Sequence, residues 1–394
     1  MLETPANDIR ARISSELENL RDESQLRALE ILRGVNLCSN DYLALADDPR
    51  LKQAVVDAVS ASERVGSTGS RLLSGHSPEW ENVESEFAAF AGTESALYFG
   101  SGYAANVGLL SSVLRPGDVV FSDALNHASL IDGIRLSGAR KVIYPHCDLQ
   151  FLERALRENS SAAGARVIVT ESVFSMEGDV TPLADLLRLA NAYGAELILD
   201  EAHATAVSGL QGRGIAADLH CERQILAIVH TCGKALASIG AFVCCNHQLK
   251  EFLVNRARTF IFSTATPPYM ARQISAALSL ATLENGRRAH LRELASELRG
   301  GLAAAGFSCG ASSTHIIPVV LGSNEAALRV AAQLQSSGFA VKAIRPPTVP
   351  PGTARIRFSL TSRVTFDDVH RLVRAMESVA APSSQSASSV VAHA

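Results

Sequence analysis

Short apolar runs of four to six residues recur through the middle of the chain: Ala96–Phe99, Val119–Ser122, Lys141–Tyr144, Arg166–Thr170, Glu196–Leu199, Ile225–His230 and Gly240–Cys244. Stretches with helical spacing, such as Glu79–Phe90, Leu149–Glu158 and Pro182–Tyr193, fall between them. Strands this short, alternating with amphipathic helices, predict βαβ units and an α/β fold around a mainly parallel sheet. A chain of 394 residues has the length to bury a large core around such a sheet. Its 47% hydrophobic content excludes a disordered chain.

The texture changes after about Leu283. A long polar helix over Asn285–Ala304 precedes a smaller α+β pattern. Its expected strands are His315–Leu321, Ala340–Ile344 and Ala354–Ser359, and its closing helix is Thr365–Val379. Residues 1–35 read as one polar amphipathic helix, with Ile9, Ile13, Leu17 and Leu20 at helical spacing. Asn36–Leu45 reads as a short strand entering a turn. The expected organisation is a helical segment over 1–45, a large domain over 46–284, a small α+β domain over 285–380 and a disordered Ser/Ala-rich tail over 381–394.

Composition narrows the partners. Lys and Arg number 36 against 40 Asp and Glu, a formal charge of −4. Without an excess of positive charge, nucleic acid is a poor main partner. No run reaches the roughly 18–20 apolar residues of a membrane span. Met1–Arg12 lacks the apolar core of a secretion signal. The seven cysteines, at 38, 147, 221, 232, 244, 245 and 309, form no C-x-x-C pair. Reduced thiols in a cytoplasmic enzyme, with no metal site, are the expectation.

Ligands of open α/β sheets bind at the carboxyl ends of parallel strands. Asp200 and His203 follow Glu196–Leu199, Ser175 follows Arg166–Thr170, and Thr231 and Lys234 follow Ile225–His230. His127 comes shortly after Val119–Ser122, and Ser101-Gly102-Tyr103 opens a helix after Ala96–Phe99. A lone lysine is usually a solvated surface group, but one among small residues at a strand end can be desolvated into a nucleophile. Asp200 changes the weighing, because an aspartate at a buried strand end needs a cation. A pyridinium nitrogen is such a cation, and Asp with a Schiff-base Lys is what proteins supply to pyridoxal 5′-phosphate (PLP). Gly102 at a helix N-terminus suits the phosphate, where free N–H groups and the helix dipole favour an anion. Thr231 adds a hydroxyl, His127 a flat ring to stack, and His203 and Ser175 polar atoms for the ring oxygen. Asp200-Glu201-Ala202-His203 also spells the DEAH helicase motif, but that reading needs a G-x-x-x-x-G-K-[ST] loop, which the chain lacks. Gly66–Ser70 and Gly209–Gly214 are Gly-rich without the strand–G-x-G-x-x-G–helix frame of a dinucleotide site.

With these residues in order, the sequence resembles the α-oxoamine synthases, fold-type I PLP enzymes. The motifs run from S-N-D-Y-L-A-L at 39–45 through G-S-T-G-S-R-L-L-S-G at 66–75, S-G-Y-A-A-N at 101–106 and N-H-A-S-L at 126–130. They continue with T-E-S-V-F-S-M-E-G-D at 170–179, D-E-A-H at 200–203, T-C-G-K at 231–234, F-S-T-A-T-P-P at 262–268 and R-P-P-T-V-P at 345–350. The resemblance implies a large domain with a seven-stranded sheet between helices. It implies that Lys234 carries the cofactor as an imine, Asp200 pairs with the pyridine nitrogen, and His127 stacks on the ring. His203 and Ser175 would contact the ring oxygen, and Gly102, Tyr103 and Thr231 the phosphate. Ser263 or Thr264 would join them from the second subunit of a homodimer.

For substrate, the resemblance implies Asn40 and Arg357 at the amino-acid carboxylate, with Arg345 and Arg355 as rivals, and Arg27 and Thr348 near the acyl group. The implied reaction joins L-alanine to a pimeloyl thioester, of coenzyme A or an acyl carrier protein, with loss of CO2. Glycine acyltransfer is the alternative within the family. An aminotransferase, a catalytically inactive partner subunit and a nicotinamide dehydrogenase are the readings outside it.

Overall fold

The computed structural model describes residues 8–380. Among them, twelve strands run in chain order: β1 (Val35–Asn36), β2 (Ser95–Phe99), β3 (Val119–Asp123), β4 (Arg140–Tyr144), β5 (Arg166–Glu171) and β6 (Glu196–Asp200), then β7 (Ala227–Thr231), β8 (Ala241–Cys245), β9 (Ile316–Gly322), β10 (Phe339–Ala340), β11 (Ala343–Ile344) and β12 (Ala354–Ser359). They fall into two units. The larger spans residues 40–292 and 361–363, and the smaller takes in 8–39, 293–360 and 364–380.

The larger unit is built on one seven-stranded sheet in the order β2-β8-β7-β6-β5-β3-β4. Pairing is parallel from β7 through β6, β5 and β3 to β4, and only β8 runs against its neighbours. Every residue of β2, β3, β7 and β8 is buried, which explains why these strands read as unbroken apolar runs rather than alternating ones. β4 lies at the sheet edge and keeps Arg140 and Lys141 exposed, charges that discourage a further strand from pairing there. Crossover helices with ordinary end signals join the parallel strands. Asp148 caps Leu149–Glu158 through the Phe151 N–H, and Gly194 ends Leu183–Tyr193 in the left-handed region. One apolar cluster packs Leu109, Leu110, Leu130 and Ile134 against Val120, Val167, Val169, Ile198 and Val229 of the sheet.

The smaller unit holds an antiparallel sheet, β11-β12-β9, and the parallel pair β1-β10. Two departures from the sequence reading lie here. The first helix covers only Ile9–Asp22 and buries none of its residues. Its chain stops at Glu23 and turns through Ser24, at φ 55°. From there to β1 the segment is held by partners distant in sequence: Asn324 Nδ2 donates to Glu23 O, Arg345 to Ser24 O, and Lys342 pairs with Glu30 at 2.6 Å. Helical spacing over 1–35 therefore overran the point where tertiary contacts take over. The single strand expected over Ala340–Ile344 is two, because the chain leaves β1 after Ala340 and joins β12 at Ala343.

The long helix over Asn285–Ala304 forms as read, but the boundary between the units falls inside it, between Arg292 and Glu293, rather than at its start. Residues up to Ser39 group with the smaller unit. The tail expected over 381–394 lies outside the described residues.

Candidate active site

The carboxyl ends of β3, β5, β6 and β7 lead into His127, Ser175, Asp200, Thr231 and Lys234 at one edge of the sheet. Asp200 is the last residue of β6 and Thr231 the last of β7. Lys234 lies in the turn after β7, with Nζ 3.4 Å from Thr231 Oγ1. The helix Gly102–Val113 begins beside them, and Ser101 Oγ accepts from Ala104 N at its N-terminus. A Cβ on Gly102 would lie 2.7 Å from Thr231 Cγ2. Only glycine lets this helix start so close to the threonine methyl, and a helix N-terminus with its free N–H groups is a place where an anion can bind.

Asp200 is 5% exposed. Its Oδ2 accepts from Asn106 Nδ2 at 2.7 Å and its Oδ1 from the Ala202 N–H at 2.8 Å. Among the described residues these neutral groups are its hydrogen-bond donors. A carboxylate removed from water and met only by neutral donors is poised for a cation. Asn106 Nδ2 also donates to Ser129 Oγ at 2.9 Å, and Ser129 Oγ lies 2.8 Å from His127 Nδ1. The Ser129 N–H donates to the same Nδ1 at 3.2 Å. A backbone N–H can only donate, so Nδ1 accepts and the ring proton sits on Nε2. His127 is thus a neutral ring. Burial holds its pKa below the ordinary value, ahead of the opposing pull of Asp200, and Lys234 adds to the lowering.

Glu171 ends β5 and is paired in register with Asp200. It is fully buried, and burial together with the neighbouring Asp200 charge keeps its carboxyl well above the usual range. His203 Nδ1 lies 2.5 Å from the Tyr42 hydroxyl, which donates to Asn40 Oδ1 at 3.0 Å. Ser175 is half-buried in the loop after β5, closed by the Val173–Val180 bridge and the Phe174 N–H to Asp179 O bond.

A second cluster stands at the ends of β3 and β4. His146 Nδ1 is 3.0 Å from Asp123 Oδ1, and its Nε2 is 2.8 Å from Asp179 Oδ2. Asp123, His146 and Cys147 form a group whose ligand atoms lie within 4.8 Å of one another. Both ring nitrogens face carboxylate oxygens, an arrangement that favours a proton on each.

Ser263 and Thr264 lie in an exposed segment paired with the Gly66–Gly75 loop, through the Ser70–Thr264 bridge and the Ala265 N–H to Gly69 O bond. In the smaller unit, Arg27 Nη2 donates to Thr348 Oγ1 at 3.1 Å and to Pro346 O at 3.3 Å, which brings the two acyl-side candidates together. Arg357 and Arg355 both lie on β12, and Arg345 donates to Ser24 O and Leu26 O.

The sequence reading assigned nothing to Tyr42, Asn106, Ser129 or Glu171. All four lie inside quoted motifs, but only pairing between distant segments reveals what they touch.

The residues suit PLP. A phosphate suits the helix N-terminus at Gly102, a pyridinium nitrogen answers Asp200, a flat neutral ring is available in His127, and an amine in Lys234. The comparisons agree. The family model for class I and II aminotransferases matches residues 33–376. An 8-amino-7-oxononanoate synthase from Geobacter sulfurreducens is 44% identical over 379 residues, 92% of this chain and 96% of that one. Another from Anaeromyxobacter dehalogenans is 44% identical over 345 residues, 88% of this chain and 86% of its own. Among solved structures, serine palmitoyltransferase from S. paucimobilis with bound PLP–myriocin aldimine superposes with a TM-score of 0.87 at 27% identity, covering 95% of this chain and 98% of that one. An 8-amino-7-oxononanoate synthase from Francisella tularensis gives 0.76 at 30% identity, covering 88% and 97%. The chain belongs to the class I and II aminotransferase family, in its α-oxoamine synthase branch, and is a PLP-dependent acyltransferase.

Proposed function

We propose that the protein joins L-alanine to a pimeloyl thioester, giving 8-amino-7-oxononanoate, CO2 and the free thiol carrier, a step of biotin biosynthesis in the cytoplasm. PLP, when bound, supplies a sink for the electron pair left at the amino-acid Cα. The chain's residues do the rest. Lys234 would hold the cofactor through its Nζ, and that amine would be placed to take the amino-acid Cα proton. Asp200 holds a proton on the pyridine nitrogen, so the ring keeps its charge. His127 stacks on the ring as a neutral group and adds no competing charge to the one Asp200 stabilises. The helix N-terminus at Gly102 and Tyr103, with Thr231, anchors the phosphate. His203 and Ser175 serve the ring oxygen.

Asn40 and Arg357 orient the carboxylate that leaves as CO2, and Arg27 with Thr348 serves the acyl thioester. Ser263 or Thr264 reaches the phosphate of the other protomer in a homodimer. The observation that carries this reading is Asp200, buried among neutral donors at the end of β6, the strand paired with the one that leads into the lysine turn.

The serine palmitoyltransferase fold is the better superposition, while the alanine-using name comes with the higher sequence identity. Side-chain identity, not backbone shape, sets substrate choice, so alanine is preferred. A thiol-release assay crossing alanine, glycine and serine with pimeloyl, acetyl, succinyl and palmitoyl thioesters tests it. Alanine with pimeloyl thioester is the expected best pair. A clear preference for glycine or serine overturns the substrate assignment and leaves the family intact. Gel filtration of an active monomer overturns the shared phosphate site.

A further inference from the structure

Tyr42 is fully buried, and its hydroxyl stands between two residues given separate tasks above. It is 2.5 Å from His203 Nδ1 and 3.0 Å from Asn40 Oδ1. The backbone on either side is pinned, since Tyr42 N donates to Asn40 O at 2.9 Å and Ser362 N donates to Tyr42 O at 2.8 Å. A phenol has one proton to donate, and an amide oxygen can only accept. If the hydroxyl donates to Asn40, His203 Nδ1 must be the donor to the hydroxyl. If it donates to Nδ1, the imidazole proton sits on Nε2. The direction of one hydroxyl and the protonation pattern of one imidazole are therefore the same variable.

We propose that Tyr42 is a positioning residue that couples capture of the amino-acid carboxylate at Asn40 to the placement of the proton on His203. The proposal rests on the roles assigned above to Asn40 and His203. A carboxylate that accepts from the Asn40 amide nitrogen fixes the amide, with its oxygen toward Tyr42. The hydroxyl then donates to that oxygen and Nδ1 carries a proton. With Nδ1 engaged in this way, Nε2 is the nitrogen that serves the cofactor's oxygen. Coupling of this kind is reciprocal: whatever the bound amino acid does to the imidazole, the imidazole's protonation does to amino-acid affinity.

The test uses Tyr42→Phe, which removes one buried hydroxyl and keeps the ring. In the PLP-loaded protein, L-alanine is titrated by the change in cofactor absorbance. The variant is expected to bind alanine about three- to tenfold more weakly, the effect of one lost neutral hydrogen bond. Added to Asn40→Ala, Tyr42→Phe is expected to cost less than about twofold more, because the relay is already cut. Equal penalties in the two backgrounds, or none in either, overturn the proposal.

Ring-15N NMR of the histidines, recorded before PLP is added and assigned with His203→Gln, is the second measurement. The His203 nitrogens are expected to shift in Tyr42→Phe while those of His146 and His230 hold. Unchanged His203 signals overturn the link whatever the substrate proves to be. Wild-type protein that gives no absorbance response to alanine overturns the substrate reading and the coupling with it, a failure the NMR measurement tells apart from a missing hydroxyl–imidazole link.

Discussion

Two carboxylate clusters stand at the same edge of the large sheet, and they are neutralised in opposite ways. At the ends of β3 and β4 the chain supplies its own cation. Burial works against a charge on His146, but the hydrogen bonds to Asp123 and Asp179 outweigh it and push its pKa up to about 12. The ring packs edge-on against Phe174, 4.4 Å between centroids, and Asp123 also accepts from the Leu125 and Cys147 N–H groups. Such a clamp ties the segment leading to His127 to the loop that carries Ser175. At the end of β6, the hydrogen-bond donors to Asp200 among the described residues are neutral, the Asn106 amide and the Ala202 N–H. Where the chain needs rigidity, it completes the ion pair internally. At Asp200, on the reading proposed above, the positive member would come from the bound cofactor.

The sharpest way to break this contrast is Asp200→Asn. An amide cannot hold a proton on the pyridine nitrogen, so kcat should fall on the order of 10²–10⁴-fold. Cofactor absorbance should show PLP still bound, because the helix N-terminus at Gly102 and Lys234 are untouched. A rate close to wild type would mean that Asp200 is structural like Asp123, and the contrast would vanish.

His146→Gln should instead act on stability. It leaves Asp123 and Asp179 facing each other without their cation. Breaking such a pair costs about 3 kcal/mol, the low end of the usual range, because the ring is 22% exposed. Thermal or urea unfolding measures it. Adding Asp179→Asn should recover part of the loss by removing one stranded charge. A double variant as unstable as the sum of the two singles would show that the ring packs rather than pairs.

The clamp also has a pH signature. The folded pKa of His146 lies above the ordinary 6.5 of the unfolded chain. Its contribution is therefore fully present below pH 6.5 and is lost as pH rises toward 12. The stability gap between wild type and His146→Gln should narrow steadily from pH 7 to pH 10. A gap that stays constant would mean the histidine is not held as a cation.

The contrast also bears on what can be read from sequence. Strands β2, β3 and β5 to β8 of the large sheet were legible because they are largely buried apolar runs between turn signals, while the edge strand β4 keeps Arg140 and Lys141 exposed and buries only Tyr144. Asp200, His127, Thr231 and Lys234 were legible because they sit one to four residues beyond such runs, or in short motifs that do. Nothing local distinguishes Asp123 from Asp200, since both close a β-strand of similar texture. The difference lies in His146 and Asp179 on one side and Asn106 on the other, 23, 56 and 94 residues away. The N-terminal segment failed for the same reason. Its helical spacing persists past Asp22, but contacts with Asn324, Arg345 and Lys342 decide its path. Periodicity reports which face is apolar, and says nothing of which distant group will claim a backbone carbonyl.

The smallest effect should come from Ser129→Ala, and it probes the neutral side of the comparison. Ser129 Oγ joins Asn106, the donor to Asp200, with His127. Removing it deletes two neutral hydrogen bonds, yet the Ser129 N–H still donates to His127 Nδ1, so the ring keeps its proton on Nε2. Asn106 Nδ2 still donates to Asp200. Stability should drop by about 1 kcal/mol and kcat by only a few-fold. Alanine is the clean probe because it removes the hydroxyl and keeps the N–H that holds His127. Should Ser129→Ala approach Asp200→Asn in its loss of rate, the hydroxyl would be carrying the ring's orientation by itself. The neutral network would then be as indispensable as the charge it surrounds.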